Sequence, residues 1–216
     1  MASLPFRDRD DAARQLVAAL QQYRGSKPVV LAIPRGAVPM GRIVSDALDG
    51  ELDVVLVRKL GAPGNPELAI GAVDERGEAI LAEHAAWTGA DDEYIERETR
   101  RQLELIRERR SRYRPNKAAI PLAGRTVIVL DDGLATGSTM IAALQAVRAQ
   151  HPKRLVCAVP VAAPDSLARV ARLADDVVCL AAPRSFMAVG THYRDFSGVT
   201  DEQVIETLAR SPAGQD

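Results

Sequence analysis

Five short runs in this chain are apolar at nearly every position: Val29–Ile33, Asp53–Val57, Val127–Leu130, Leu155–Val161 and Val177–Leu180. A strand with one face in water alternates apolar and polar residues, because successive side chains point to opposite faces. Runs without that alternation are strands covered on both sides. Between them lie stretches with apolar residues at helical spacing, at Asp8–Gln22, about Pro39–Ala47, Ser138–Ala149 and Pro164–Leu173. Strands and helices in alternation predict an α/β domain: a doubly wound parallel sheet with helices on both faces.

The chain has 216 residues, 47% of them hydrophobic, enough for one such domain over 1–216. Its net charge is -1, so no overall field draws it to nucleic acid or to a membrane surface. At 4% aromatic content it has few rings on which bases could stack. No apolar run is long enough to cross a bilayer and the opening residues carry no signal-peptide core, which predicts a cytoplasmic protein. Cys157 and Cys179 sit in strand-like runs and read as buried free thiols. His84, His151 and His192 are scattered, and no cysteine joins them at a ligand spacing, so no metal held by protein ligands is expected.

The rest of the chain decorates this core. Leu60–Pro66, rich in glycine and proline, reads as a loop able to act as a lid, and Leu68–Val73 with Ala79–Leu81 as a strand pair. Residues 91–114 are the strongest helix by propensity, with acids leading and bases trailing as the helix dipole favours. The region 83–121 reads as a helical elaboration between core strands, and about 183–200 as a small C-terminal hood. Trp87 and Leu81 are candidates for a homodimer contact.

In parallel α/β sheets, ligands bind beyond the carboxyl ends of the strands. The informative strand end is Val127–Met140, "VIVLDDGLATGSTM". Gly133 and Gly137 permit tight backbone geometry, Thr136, Ser138 and Thr139 supply hydroxyls, and the next helix opens with free amides. Together these form a phosphate cradle. Asp131 and Asp132 would repel a bare phosphate but suit the vicinal hydroxyls of a ribose, so the implied ligand is a sugar phosphate. No lysine follows Gly137, which separates this loop from a Walker A motif. The plainer alternative is a capped helix preceded by two solvent-facing acids.

The same residues resemble the phosphoribosyl-diphosphate signature of the type I phosphoribosyltransferase family. The resemblance implies Mg2+ held mainly through the substrate, and exchange of pyrophosphate at C1 of the activated ribose for a nitrogenous base. It implies that Asp131 and Asp132 hold the ribose hydroxyls while Ala135, Thr136, Gly137, Ser138 and Thr139 wrap the 5-phosphate. "AIPRGAVPMG" is similar to the family's pyrophosphate loop, which assigns Arg35, Gly36 and Ala37 to the leaving group. Arg58-Lys59 is similar to the pair that opens a mobile catalytic loop, where two cations would neutralise pyrophosphate as its charge develops. "FMAVGTHYRDF" resembles the base-binding segment of the hypoxanthine and guanine members, which would make Phe186 the stacking ring and Val189 a main-chain reader and suggests a purine.

The pattern also departs from the family. Ala135 stands where hypoxanthine-type members carry an acid, and Glu67 is the substitute candidate for proton handling. The loop wording is adenine-like while the tail is hypoxanthine-like, so the acceptor base stays open. Two other classes remain: a regulator that binds phosphoribosyl diphosphate without turnover, and a scaffold acting through the 91–114 helix.

Overall fold

The computed structural model describes residues 4–115 and 118–210. In chain order these form α1 (Arg9–Ala19), β1 (Val29–Ala32), α2 (Ala37–Ala47), β2 (Glu51–Val54), β3 (Val57–Ala62), β4 (Asn65–Asp74), β5 (Ala79–Leu81), α3 (Asp92–Tyr113), β6 (Thr126–Leu130), α4 (Ser138–Arg148), β7 (Arg154–Val161), α5 (Pro164–Val170), β8 (Asp176–Ala181) and α6 (Asp201–Ala209). Five strands make one parallel sheet in the order β2-β1-β6-β7-β8. Along each strand the side chains divide between two cores. Val30, Ala32, Ile128, Leu130, Val156 and Ala158 join the core that α1 and α2 cover. Val29, Leu31, Val127, Val129, Leu155 and Cys157 join the one that α4 covers. Both faces are therefore dry, which is why these strands show no polar alternation.

The predicted doubly wound sheet is present. Two expectations need correction. The run Asp53–Val57 is not one strand: the parallel strand β2 ends at Val54, and Val57 begins β3 in a second sheet. Nor is Leu60–Pro66 a free loop. It is the tip of a β3–β4 hairpin in an antiparallel sheet of order β3-β4-β5. The glycines there serve the hairpin. A Cβ on Gly61 would meet Pro66 at 2.8 Å, and Gly64 takes φ +70° in the turn. Leu60 is fully buried, which anchors the strand. The elaboration of the core thus begins at Val57 with a sheet, and α3 follows it.

α3 is capped at its start, where the Asp91 carboxylate accepts the Tyr94 amide at 2.8 Å. The Tyr94 hydroxyl donates to the Gly61 carbonyl at 2.8 Å, tying the helix to the hairpin. At the other end the buried Arg114 meets Asp53 at 2.7 Å and Glu75 at 3.2 Å, and donates to the Val54 carbonyl at 2.7 Å. That cluster joins β2, β4 and the end of α3. Cys157 is buried, Cys179 partly so, and both are free thiols; burial pushes the Cys157 thiol far up. Among the described residues no helix is long and apolar enough to cross a membrane. Trp87 is 85% exposed and Leu81 43% exposed.

Candidate active site

The strand order reverses between β1 and β6, and at such a switch point the connections diverge to leave a crevice. The Ile33 amide donates to the Leu130 carbonyl at 2.9 Å, so the two strand ends stay side by side. Asp131 and Asp132 emerge there, both partly exposed.

After the two acids the loop is fastened at Leu134, Ala135 and Thr136. Leu134 is buried; its amide donates to Val161 and its carbonyl accepts from Ala163, at 2.9 and 2.8 Å. The Ala135 carbonyl accepts the Ser166 hydroxyl at 2.6 Å, and the Thr136 carbonyl accepts Arg169 Nη2 at 2.7 Å. Within one peptide plane the N–H points opposite to the C=O. Two carbonyls drawn toward α5 therefore aim the Thr136 and Gly137 amides the other way. Among the described residues the Thr136, Gly137 and Thr139 amides find no acceptor. Gly137 takes φ +70° as it opens α4. The Thr136 and Ser138 hydroxyls lie 3.2 Å apart beside these amides. The loop and Asp131 surround a cavity of about 180 Å³. Free backbone donors arranged in this way suit an anion, and a carboxylate closes one side.

The two acids differ. Arg9 reaches from α1 and places Nε and Nη2 on Asp132 Oδ2, each at 2.8 Å. It also donates through Nη1 to the Ser197 carbonyl at 2.6 Å and lies 3.8 Å from the Phe196 ring centre. The Tyr193 hydroxyl donates to the Asp132 carbonyl at 2.6 Å. Among the described residues Asp131 makes no ion pair; it accepts the Asp132 amide at 2.9 Å. Burial pushes both carboxyls above the usual range. Asp131 moves further because the Asp132 charge adds to burial, whereas Arg9 pulls Asp132 back.

Gly36 and Ala37, at the start of α2, lie beside this pair: a Cβ on Gly36 would come within 2.1 Å of Asp132 Oδ2. The Pro34–Arg35 peptide is cis. The Arg35 side chain is about half exposed and sits 3.8 Å from Asp201, the first residue of α6. Asp201 also accepts the Tyr113 hydroxyl at 2.6 Å and pairs with Arg112 at 2.9 Å. The Tyr113 hydroxyl, then Arg112, Arg35 and Arg109, hold its carboxyl below the usual range.

Arg58, Lys59 and Glu67 come together in a second cavity of about 390 Å³, although Arg58 and Lys59 belong to a strand of the second sheet rather than to a parallel strand end. Ile33 and Pro34 from the β1 end and Thr139 from α4 also line it. Thr139 lines the first cavity too, so the two adjoin. Glu67 sits with the cations and not beside Val189. Val189 does reach the first cavity, packed so closely on Gly133 that a Cβ there would meet it at 2.6 Å. Phe186 does not line that cavity; its ring is tilted against His192 at 5.0 Å.

Arg9, Ser166, Arg169 and Arg109 also bear on the site, each from a helix distant in sequence with no local motif to mark it, and Tyr193 of the tail motif does so through its hydroxyl. Among the described residues no three His, Cys, Asp or Glu side chains gather where a metal could sit.

Residues 7–194 match the family described as "Phosphoribosyl transferase domain". The chain belongs to this family. It is similar to the protein named "Putative phosphoribosyl transferase" in two strains of Mycobacterium tuberculosis, 44% identical over 207 residues in each case. Those alignments cover 95% of this chain and 47% of the relative, so the chain spans about half the length of the curated relatives it matches. The crystal structure of TT1426 from Thermus thermophilus is 48% identical with a TM-score of 0.88, covering 95% of this chain and 98% of that one.

Proposed function

We propose that this phosphoribosyl transferase domain moves the 5-phosphoribosyl group of phosphoribosyl diphosphate onto a nitrogenous base and releases pyrophosphate. The observation that carries the reading is a sequence of sites along one crevice. The free amides of Thr136, Gly137 and Thr139 adjoin the Asp131–Asp132 pair, and Thr139 joins their cavity to the one lined by Arg58 and Lys59. Phosphoribosyl diphosphate has three groups to offer these neighbouring sites: a 5-phosphate, a ribose diol and a diphosphate.

In this reading the amides of the loop and the hydroxyls of Thr136, Ser138 and Thr139 bind the 5-phosphate. Asp131 and the uncommitted oxygen of Asp132 accept the ribose hydroxyls. Arg58 and Lys59 stabilise the charge that grows on the departing pyrophosphate, with Arg35 and the Gly36–Ala37 backbone flanking it. Glu67, on the same side, holds its carboxylate near the leaving group; Val189 borders the position of the base, and Phe186 supports that segment through His192. Breaking the C1–O bond yields an oxocarbenium-like state, which needs positioning and electrostatics more than covalent help.

Magnesium fits this donor set. Asp131 and Asp132 are oxygen ligands with accessible atoms, suited to a hard cation that takes most of its ligands from substrate oxygens and water. Bound there, it would neutralise diphosphate charge. The base stays at the level of a nitrogen nucleophile, with a purine as the first candidate.

One observation favours a second reading, binding without turnover: Asp131 is the only acid among the residues that line the 135–139 cavity. Calorimetric titration with phosphoribosyl diphosphate and Mg2+, beside an Asp131→Asn/Asp132→Asn double variant, tests the shared premise. Binding that the variant loses supports it, and wild type that takes up no ligand refutes it. Pyrophosphate release across a panel of bases then separates enzyme from sensor.

A further inference from the structure

α3 is rich in arginine, and most of those charges are already matched. Arg97 pairs with Glu93, Arg101 with Glu98, Arg110 with Glu75 and Arg112 with Asp201, while Arg100 and Arg107 line neither cavity. Arg109 has no ion pair among the described residues, and it lines the 390 Å³ cavity from the α3 side. Arg58 and Lys59 line that cavity from β3 and are likewise without ion pairs among the described residues. Three cations thus surround a space to which Glu67 adds the single carboxylate. Like charges facing one cavity repel one another unless an anion enters. The anion must carry more than one negative charge to balance three cations against one acid.

Arg109 is also held in place. Its neighbour Ile106 is 2% exposed, and one turn later Tyr113 is pinned by its hydroxyl to Asp201 at 2.6 Å. Tyr94 fixes the other end of the helix to the hairpin that carries Arg58 and Lys59. Both walls of the cavity are therefore mutually braced, the condition for a rigid binding site. A guanidinium on such a wall can fork onto phosphate oxygens, which a lysine ammonium meets only as a point charge.

We propose that Arg109 is a pyrophosphate-binding residue, which makes the elaboration between β2 and β6 part of the ligand site. The inference rests on the reading of the crevice as a phosphoribosyl-diphosphate site, and it adds a residue from outside the parallel core. Arg109 meets the diphosphate from α3 while Arg58 and Lys59 meet it from the hairpin. The Asp loop holds the other half of the ligand.

The test titrates magnesium pyrophosphate and, separately, ribose 5-phosphate into wild type, Arg109→Ala, Arg109→Lys and Arg101→Ala, with folding of each checked by thermal melting. Arg101 is a control whose side chain is 72% exposed and pairs within its own helix. Arg109→Ala should weaken pyrophosphate binding by about ten- to a hundredfold, the loss of one charge-assisted contact, and leave ribose 5-phosphate binding unchanged. Arg109→Lys should recover part of the loss, and Arg101→Ala should match wild type. Equal pyrophosphate affinity in Arg109→Ala and wild type would overturn the proposal. So would parallel loss of both ligands, or wild type that binds no pyrophosphate. Wild type that binds pyrophosphate through Arg109, yet neither ribose 5-phosphate nor phosphoribosyl diphosphate, would instead overturn the functional reading and leave the anion site standing.

Discussion

Two nitrogens of the Arg9 guanidinium meet the same oxygen of Asp132, each at 2.8 Å, across 123 positions of sequence. The third nitrogen reaches the Ser197 carbonyl, and the plane lies against Phe196. One side chain of the first helix thereby joins the acid at the centre of the crevice to the C-terminal tail. Its charge opposes the burial that pushes the Asp132 carboxyl above the usual range.

Removing that cation has a direct cost. Both side chains are mostly buried, 13% and 16% exposed. Arg9→Ala strands a desolvated carboxylate and should lower stability by about 1.5–3 kcal/mol, the range for a hydrogen bond to a charged group. Arg9→Lys restores the charge without the fork and should recover only part of it. Urea unfolding of the three proteins measures both steps, and an unchanged midpoint for Arg9→Ala would refute the role.

Asp131 should make the fold sensitive to alkali. Its folded carboxyl binds a proton more tightly than the unfolded one, because burial and the Asp132 charge oppose ionisation. The stability this confers is complete below the ordinary carboxylate range and is lost as pH rises through the raised folded value. Asp131→Asn removes the term. It should melt a few degrees above wild type at neutral pH while losing affinity for phosphoribosyl diphosphate. Melting curves from pH 4 to 8 should show the gap widen with pH; a constant gap would contradict the account.

Gly36 leaves no room for any side chain. A methyl there would lie 2.1 Å from Asp132 Oδ2 and 3.0 Å from Arg9 Nε. Gly36→Ala must push the ion pair aside, at about 1–3 kcal/mol for an overpacked site, and ligand affinity should drop at least about tenfold. Gly198, whose Cβ would meet nothing within 4 Å, provides the comparison. Equal ligand affinities in Gly36→Ala and Gly198→Ala would show that the crevice tolerates the methyl.

The parallel core was legible because double burial leaves its mark on composition: Val127–Leu130 and Leu155–Val161 carry no polar alternation. The Asp131–Thr139 loop was legible because glycine, hydroxyl and acid follow one another within a single turn. The β3–β4 hairpin was not. Gly61 and Gly64 read as loop residues, and only the pairing partner shows that one allows a close approach and the other a turn. Arg9 and Arg109 were invisible for a related reason: each is one arginine among many, singled out by what lies across space from it. Phe186 carried an aromatic signal, yet its ring is engaged with His192.

The fastening of the 135–139 loop to α5 has a consequence for affinity. Ser166 and Arg169 hold two of its carbonyls, and Leu134 is bonded on both sides. The amides therefore already point outward before any phosphate arrives. A flexible loop would surrender conformational entropy on capturing an anion, roughly 1–2 kcal/mol for each residue ordered. Here that ordering has been completed by folding, so an anion docking on these amides would bear little of that cost.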